Sequence, residues 1–367
     1  MHLSDITPSL FSSLGLSTAD DSLGVGQSPH GREVLLLIDG LGEDSVEKYS
    51  ELIPHISSLK KFGIVKTAFP STTSTSLATL TTGTLPGTHG MLGYMVQVPR
   101  SGGRILNALK WDERVDPVIW QPVPTLFERA RDVGIKVSHV AAKRYEGTGF
   151  TRAVFRGADY VGANVVDDLA TSTAESLRKT PSFVYLYMND VDMAGHSDGV
   201  GSEKWRAALA LVDSLVGKLA EKVPSGTRLW LTADHGMINA SHTVILGEGN
   251  NLLDEVSTLA GEPRARHIYL KEEYATGNGL IDTRNKWANF LGDEGVVLTR
   301  EESISQKLFG EKVTTDARDR IGELVVIARG GLILVDPTRT HLEAAMIGHH
   351  GSDSEIETSV PFLTTTF

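Results

Sequence analysis

Short continuous apolar runs recur along the chain, each ending at a turn, and longer stretches with helical spacing lie between them. Val34 to Ile38 reads VLLLI and stops at Asp39-Gly40, the pattern of a strand buried on both faces of a parallel sheet. IKVSHVAA from Ile135, SFVYLYM (Ser182 to Met188) and RLWLTA (Arg228 to Ala233) repeat that pattern. The spacing predicts helices over Ser45 to Phe62, from Thr125 to a stop at Gly134, over Asp167 to Lys179 and over Ser202 to Lys222. Strands alternating with helices imply a mostly parallel sheet covered on both faces, an α/β/α sandwich.

Past Ala240 the pattern changes. VVLTREES and LVVIARGGLILVD are short strands among irregular pieces, with no repeat and no low-complexity linker. Residues 240–345 are therefore expected to form an inserted subdomain over the active site. The catalytic core is then 1–239 with 346–367, and the tail EIETSVPFLTTTF returns a strand to it. The segment around Pro99, Gly102, Gly103 and WDERVDPVIWQPVPT reads as surface loop framing a pocket.

Two apolar runs end in a carboxylate, Asp39 and Asp234, and a third runs into NDVDMAGHSDG. In open parallel sheets the ligand site lies beyond the carboxyl ends of the strands, so these tips should converge. Between the first two runs lies FPSTTSTSLATLTTG, where Ser71 to Thr75 offer N-caps and exposed hydroxyls. A short helix there would turn Leu77 and Leu80 inward and stop at Gly83 and Pro86. On its own this is a Ser/Thr-rich capping loop; ahead of strand tips bearing acid and imidazole, it is also a place for a catalytic Thr.

Composition narrows the chemistry. At 367 residues, 40% apolar and 22% charged, the chain suits a globular protein with a sizeable core. A net charge of −11 opposes nucleic acid or an anionic membrane as the main partner, since affinity for phosphate backbones comes largely from Lys and Arg. The N-terminus has no basic, apolar export pattern and no run reaches a membrane span, so a cytoplasmic location is expected. Without cysteine there is no thiolate site or cysteine nucleophile. Three acid and histidine pieces, Asp192 with His196, Asp234 with His235, and His349 with His350, then suit zinc or a similar divalent ion. Gly195-His196-Ser197-Asp198-Gly199 also matches a nucleophile elbow, and Ser197, Asp234 and His350 fall in the order of an α/β-hydrolase triad. That turn needs a strand leading directly into it, and here NDVDMA intervenes.

Taken in order, LLLIDGLG, FPSTTSTSLATLTTG with LPGTHGM, VDMAGHSDG, TADHGM and GHHG resemble the nucleotide pyrophosphatase/phosphodiesterase family of the alkaline phosphatase superfamily, over about Val34 to His350. The resemblance implies a metal-dependent hydrolase of phosphodiester or pyrophosphate bonds. It implies two divalent ions, zinc by preference, and a covalent phosphothreonine intermediate. Its substrate would be a small phosphate ester such as a nucleotide. Asp39, Asp234 and His235 match the ligands of one ion together with Thr73, the nucleophile, which lies ten positions before Gly83. Thr72 and Ser71 are the alternatives one and two places earlier. Asp192, His196 and His350 match the ligands of the second ion. Tyr94 stands where the family places an Asn that helps hold the phosphoryl oxygens, and a phenol can still donate there. His89 reads as structural. A phosphomonoesterase or phosphonate hydrolase would use the same metals, and the Ser197 esterase is the reading without them.

Overall fold

The computed structural model describes residues 1–367. Its apolar runs become the middle of a seven-stranded sheet. In chain order, helix α1 (Leu3–Ser13) precedes strands β1 (Arg32–Ile38) and β2 (Lys60–Lys66). Helix α2 (Thr73–Thr82), β3 (Lys136–Ala141), β4 (Asp159–Gly162) and β5 (Ser182–Met188) follow. Helices α3 (Asp190–Asp198) and α4 (Glu203–Lys222) then lead to β6 (Arg228–Thr232). Four strands of the insertion come next, β7 (Val256–Glu262), β8 (Ala265–Leu270), β9 (Gly295–Thr299) and β10 (Leu324–Ala328), and β11 (Ser359–Thr366) closes the chain. The main sheet runs β2-β11-β6-β1-β5-β3-β4. Every neighbouring pair from β6 to β4 is parallel; β11 runs antiparallel to both its neighbours, the return strand that the tail suggested.

The order explains the composition of the strands. β1 lies between β5 and β6 and is buried from Glu33 to Ile38, so no position in it faces solvent and no alternation is needed. α4 buries one stripe, Trp205, Leu209, Val212, Val216 and Leu219, and leaves its opposite face polar. Register sets the tips level: Ile38 pairs with Met188, and Leu37 with Thr232. Asp39, the start of α3 and Asp234 therefore emerge at one edge.

The helix expected over Ser45 to Phe62 is a correction. The chain makes a helix at Glu43–Lys48, a 3₁₀ turn at Ser50–Leu52 and a single turn at Pro54–Ser57, then extends as β2. Pro54 has no N–H to continue the ladder and pushes Ile53 out of the helical region. Lys60 onward gains more as a strand, because Phe62 packs edge-on against Trp230 and Phe362.

The insertion folds as an antiparallel sheet in the order β7-β8-β10-β9. One face has its own apolar core, including Ile268, Trp287, Leu324 and Val326. Through Val325, Ile327 and Phe309 the other side joins the main core. No helix is long and apolar enough to cross a membrane.

Candidate active site

Thr73 is the first residue of α2, with Thr72 as its N-cap and Gly83 closing the helix in the left-handed conformation. The remaining hydroxyls of this helix are buried, and those of Ser74 and Ser76 have no hydrogen-bond partner. Thr79 and Thr82 bond the carbonyls of Thr75 and Ala78, and Thr75 bonds Met91 O. Leu77 and Leu80 are buried as their spacing predicted. Thr73 is the exception: its Oγ1 lies 3.3 Å from His235 Nε2.

Around that hydroxyl the strand tips meet. Asp39 Oδ1 and Asp234 Oδ2 each lie 3.4 Å from His235 Nε2, and these three side chains form one compact group of ligating atoms. Asp192 Oδ1 lies 3.3 Å from His196 Nε2 and 3.7 Å from His350 Nε2, and the two imidazole nitrogens are 3.3 Å apart. Asp192 and His350 also group with His235, whose ring stacks on that of His350 at 3.6 Å. Asp192 and His196 share one face of α3 at the i, i+4 spacing. The helix comes this close because residue 40 is glycine. A Cβ there would lie 3.0 Å from Asp192 Cα, and the φ of +76° disfavours other residues. Gly40 N–H donates to Asp234 Oδ1, and Tyr187, two residues ahead of α3's cap, donates to Asp39 Oδ2.

The protonation pattern fits divalent cations. His196, His235 and His350 each direct Nδ1 at a backbone carbonyl, of Gly348, Gly236 and Ser71, at 2.8, 3.1 and 2.9 Å. A carbonyl only accepts, so Nδ1 carries the proton and each Nε2 presents a lone pair to the site. Nε2 lone pairs then face each other and the carboxylates across 3.3–3.7 Å, an arrangement that a cation between them relieves. Asp39 Oδ1, Asp192 Oδ1 and Asp234 Oδ2 are buried without any hydrogen-bond partner. Burial, with Asp234 and Asp192 alongside, pushes the Asp39 carboxyl well above the usual carboxylate range. Asp192 and Asp234 are raised by burial, and His235 and His350 are lowered by it. A set of imidazole nitrogens and carboxylate oxygens without thiolate suits zinc.

A cleft of about 370 Å³ opens over this cluster. Thr72, Thr73 and Tyr94 form part of its wall, Lys110 comes from the loop after Asn107, and Glu262 and Arg339 come from the insertion. Lys110 and Arg339 were not singled out in the sequence. Elsewhere, Arg100 pairs with Asp319, Arg104 with Asp112, and Arg144 bonds Asn189. Only the crossing of a loop with the insertion brings Lys110 and Arg339 together, and nothing in their local spacing signals it. His89 is buried, accepting from Met91 N–H at Nδ1 and facing Thr79 Oγ1 with Nε2. Ser197 lies in the last turn of α3, exposed, with its hydroxyl on Met193 O and Asp198. A helix of nine residues carries it, and no strand leads into it, so the elbow is absent.

The comparisons with known proteins bear on this cluster. The model of the type I phosphodiesterase / nucleotide pyrophosphatase family matches residues 34–353. The chain belongs to that family. Human ectonucleotide pyrophosphatase/phosphodiesterase family member 1 is 25% identical over 240 residues, 60% of this chain and 25% of that protein. Venom phosphodiesterase 2 of Crotalus adamanteus is 26% identical over 277 residues, 70% of this chain and 34% of its own. The chain thus spans a quarter to a third of these relatives. Murine ectonucleotide pyrophosphatase/phosphodiesterase 5 shares the fold, with a TM-score of 0.71 at 17% identity over 91% of this chain and 87% of that one. An inactive form of that murine protein, with a threonine replaced by alanine, was solved with AMP. Phosphonoacetate hydrolase from Sinorhizobium meliloti has a TM-score of 0.69 at 19% identity over 92% of this chain and 90% of that one.

Proposed function

We propose that this family member hydrolyses phosphodiester or pyrophosphate bonds of a small substrate such as a nucleotide, at a two-zinc site, through a covalent phosphothreonine on Thr73. The observation that carries the reading is the ring of unpartnered ligating atoms around one threonine hydroxyl. Asp39, Asp234 and His235 would hold one ion beside Thr73, and Asp192, His196 and His350 the other. When bound, such ions lower the pKa of a coordinated hydroxyl or water from about 15.7 toward about 7 and stabilise a leaving oxygen.

The chain's own groups supply the rest. Thr73 Oγ1 attacks phosphorus, the ester oxygen leaves, and water then hydrolyses the threonine ester to release phosphate or a phosphomonoester. The open N–H groups at the start of α2 face the phosphoryl oxygens, where the helix dipole favours negative charge. Tyr94 offers a phenolic donor at the cleft wall. We read residues 240–345 as the subdomain that contacts the remainder of the substrate, since Glu262 and Arg339 reach the cleft from it.

A second reading, a phosphonate hydrolase, is favoured by Lys110 and Arg339, cations placed to meet a second anionic group. The likeness to phosphonoacetate hydrolase concerns the fold alone. Metal analysis of protein purified without added metal, with activity measured before and after chelation, tests the main reading. Two ions per chain and activity restored best by zinc are expected, and full activity after thorough chelation would sink it. Comparing bis-nitrophenyl phosphate, nitrophenyl phosphate and phosphonoacetate as substrates separates the ester and phosphonate readings.

A further inference from the structure

Most ligating groups of the cluster turn one atom toward the others while the chain holds a second atom back. For His196, His235 and His350 that second atom is Nδ1, on a backbone carbonyl. For Asp234 it is Oδ1, which accepts the Gly40 and His235 backbone N–H groups at 3.1 Å each and leaves Oδ2 unpartnered. Asp39 is held differently. Its Oδ2 accepts from a side chain, the Tyr187 hydroxyl, and its Oδ1 is the oxygen left over. The sheet builds Tyr187 into place. It pairs with Leu37 across β5 and β1, so the two share a face, and its hydroxyl reaches the carboxyl just past the end of β1. Its ring stacks on Tyr185 with centroids 6.4 Å apart and meets Tyr145 edge-on at 6.0 Å. The Tyr145 hydroxyl is engaged elsewhere, accepting from Asn189 and Arg144.

We propose that Tyr187 is a positioning residue for the ion beside Thr73: by occupying Oδ2 it makes Asp39 a ligand through Oδ1 alone. This rests on the reading of the cluster as a two-zinc site. Asp39 Oδ1, Asp234 Oδ2, His235 Nε2 and Thr73 Oγ1 then supply four ligating atoms, the number that zinc prefers. With Oδ2 released, Asp39 offers both oxygens. The set grows to five atoms and becomes richer in oxygen, closer to what calcium takes. A backbone donor cannot be removed by substitution, so Asp39 is the ligand whose mode of binding a single side-chain change can alter.

The test compares metal-free wild type, Tyr187→Phe and Tyr145→Phe, each titrated with zinc against a chromophoric chelator and, separately, loaded with cobalt for its visible absorption. Tyr187→Phe keeps the ring and its packing and removes only the donor. It should weaken one of the two zinc sites by about ten- to a hundredfold, the usual effect of losing an outer partner of a metal ligand, and leave the other within about threefold. Its cobalt spectrum should lose part of the strong absorption that marks four-coordinate ions. Tyr145→Phe, which removes a neighbouring hydroxyl that does not touch Asp39, should match wild type in both measurements. Zinc affinities of Tyr187→Phe within about threefold of wild type, equal losses at both sites, an unchanged cobalt spectrum, or the same changes in Tyr145→Phe overturn the proposal. Wild type that binds no zinc would overturn the two-ion reading itself; wild type that binds two ions beside an indistinguishable Tyr187→Phe would overturn the proposal alone.

Discussion

Two regions bury carboxylates and treat them in opposite ways. Where the insertion meets the core, Arg264 grips Glu357 with two hydrogen bonds of 2.8 and 2.7 Å, both side chains fully buried, and within the insertion Arg266 pairs with Glu343. Glu33, inside the main sheet, has Arg228 and the Trp230 indole N–H. At the strand tips, Asp39, Asp192 and Asp234 have no cationic side chain, and each leaves an oxygen without a partner. Burying an ion costs several kcal/mol unless it is paired. The seam meets that cost with arginine and ties two sheets together, whereas the tips leave it unmet, to be relieved by protonation or by an external cation. Depth of burial therefore does not separate the two groups of carboxylates here; the missing partner does.

The comparison breaks most sharply at Thr73. Thr73→Ala should lower kcat by about 10⁴-fold or more while leaving the melting temperature and metal content nearly unchanged, because it removes the proposed nucleophile and no buried bond. If Thr72→Ala proves to be the dead variant, the nucleophile is one residue earlier. Next in size are the partners themselves. Glu357→Gln should destabilise by about 3 to 5 kcal/mol in chemical denaturation, since it strands a buried Arg264. Asp39→Asn in metal-free protein should cost nothing or stabilise, because it removes an unpaired charge. Similar losses in both would mean that the two regions do not differ as described.

A smaller effect belongs to buried imidazoles outside both regions. His139 is packed among Phe155, Tyr160 and Tyr185 with neither ring nitrogen bonded, and burial lowers it to about 3 from an ordinary 6.5. A depressed imidazole contributes stability that is present above pH 6.5 and is lost as pH falls toward 3, by about 1.4 kcal/mol per unit. His139→Phe should make the acid limb of a melting-temperature profile shallower; an unchanged limb would place acid sensitivity elsewhere. Lys110→Ala and Arg339→Ala should then shift kcat/KM by about tenfold, or about 1.4 kcal/mol, for substrates carrying a second anion, and less for a minimal nitrophenyl ester. Equal effects on both would make these cations structural. Ser197→Ala, at an exposed helical position, should change activity by less than about twofold, since surface substitutions fall within about 0.5 kcal/mol.

What the sequence determined by itself is what short range controls. Runs such as VLLLI and SFVYLYM can be buried only as inner strands, so the parallel sheet and the level of its tips were legible. Local punctuation placed α2 before Gly83 and α4 after Ser202. The motif order pointed to the family, and with it to the side chains that the fold brings around Thr73. Where competing local signals met, as in the segment containing Pro54 and Gly63, the partner strand β11, nearly 300 residues away, decided that Lys60 to Lys66 extend. The character of the site was likewise decided by tertiary structure. Glu262, Lys110 and Arg339 reach the cleft from a strand end, a loop and a 3₁₀ turn, none of which stands out in its own local pattern. Whether a buried carboxylate finds an arginine, as Glu357 does, or none, as Asp39 does, depends on which chains cross, because charges interact through space and a sequence specifies only neighbours along the chain.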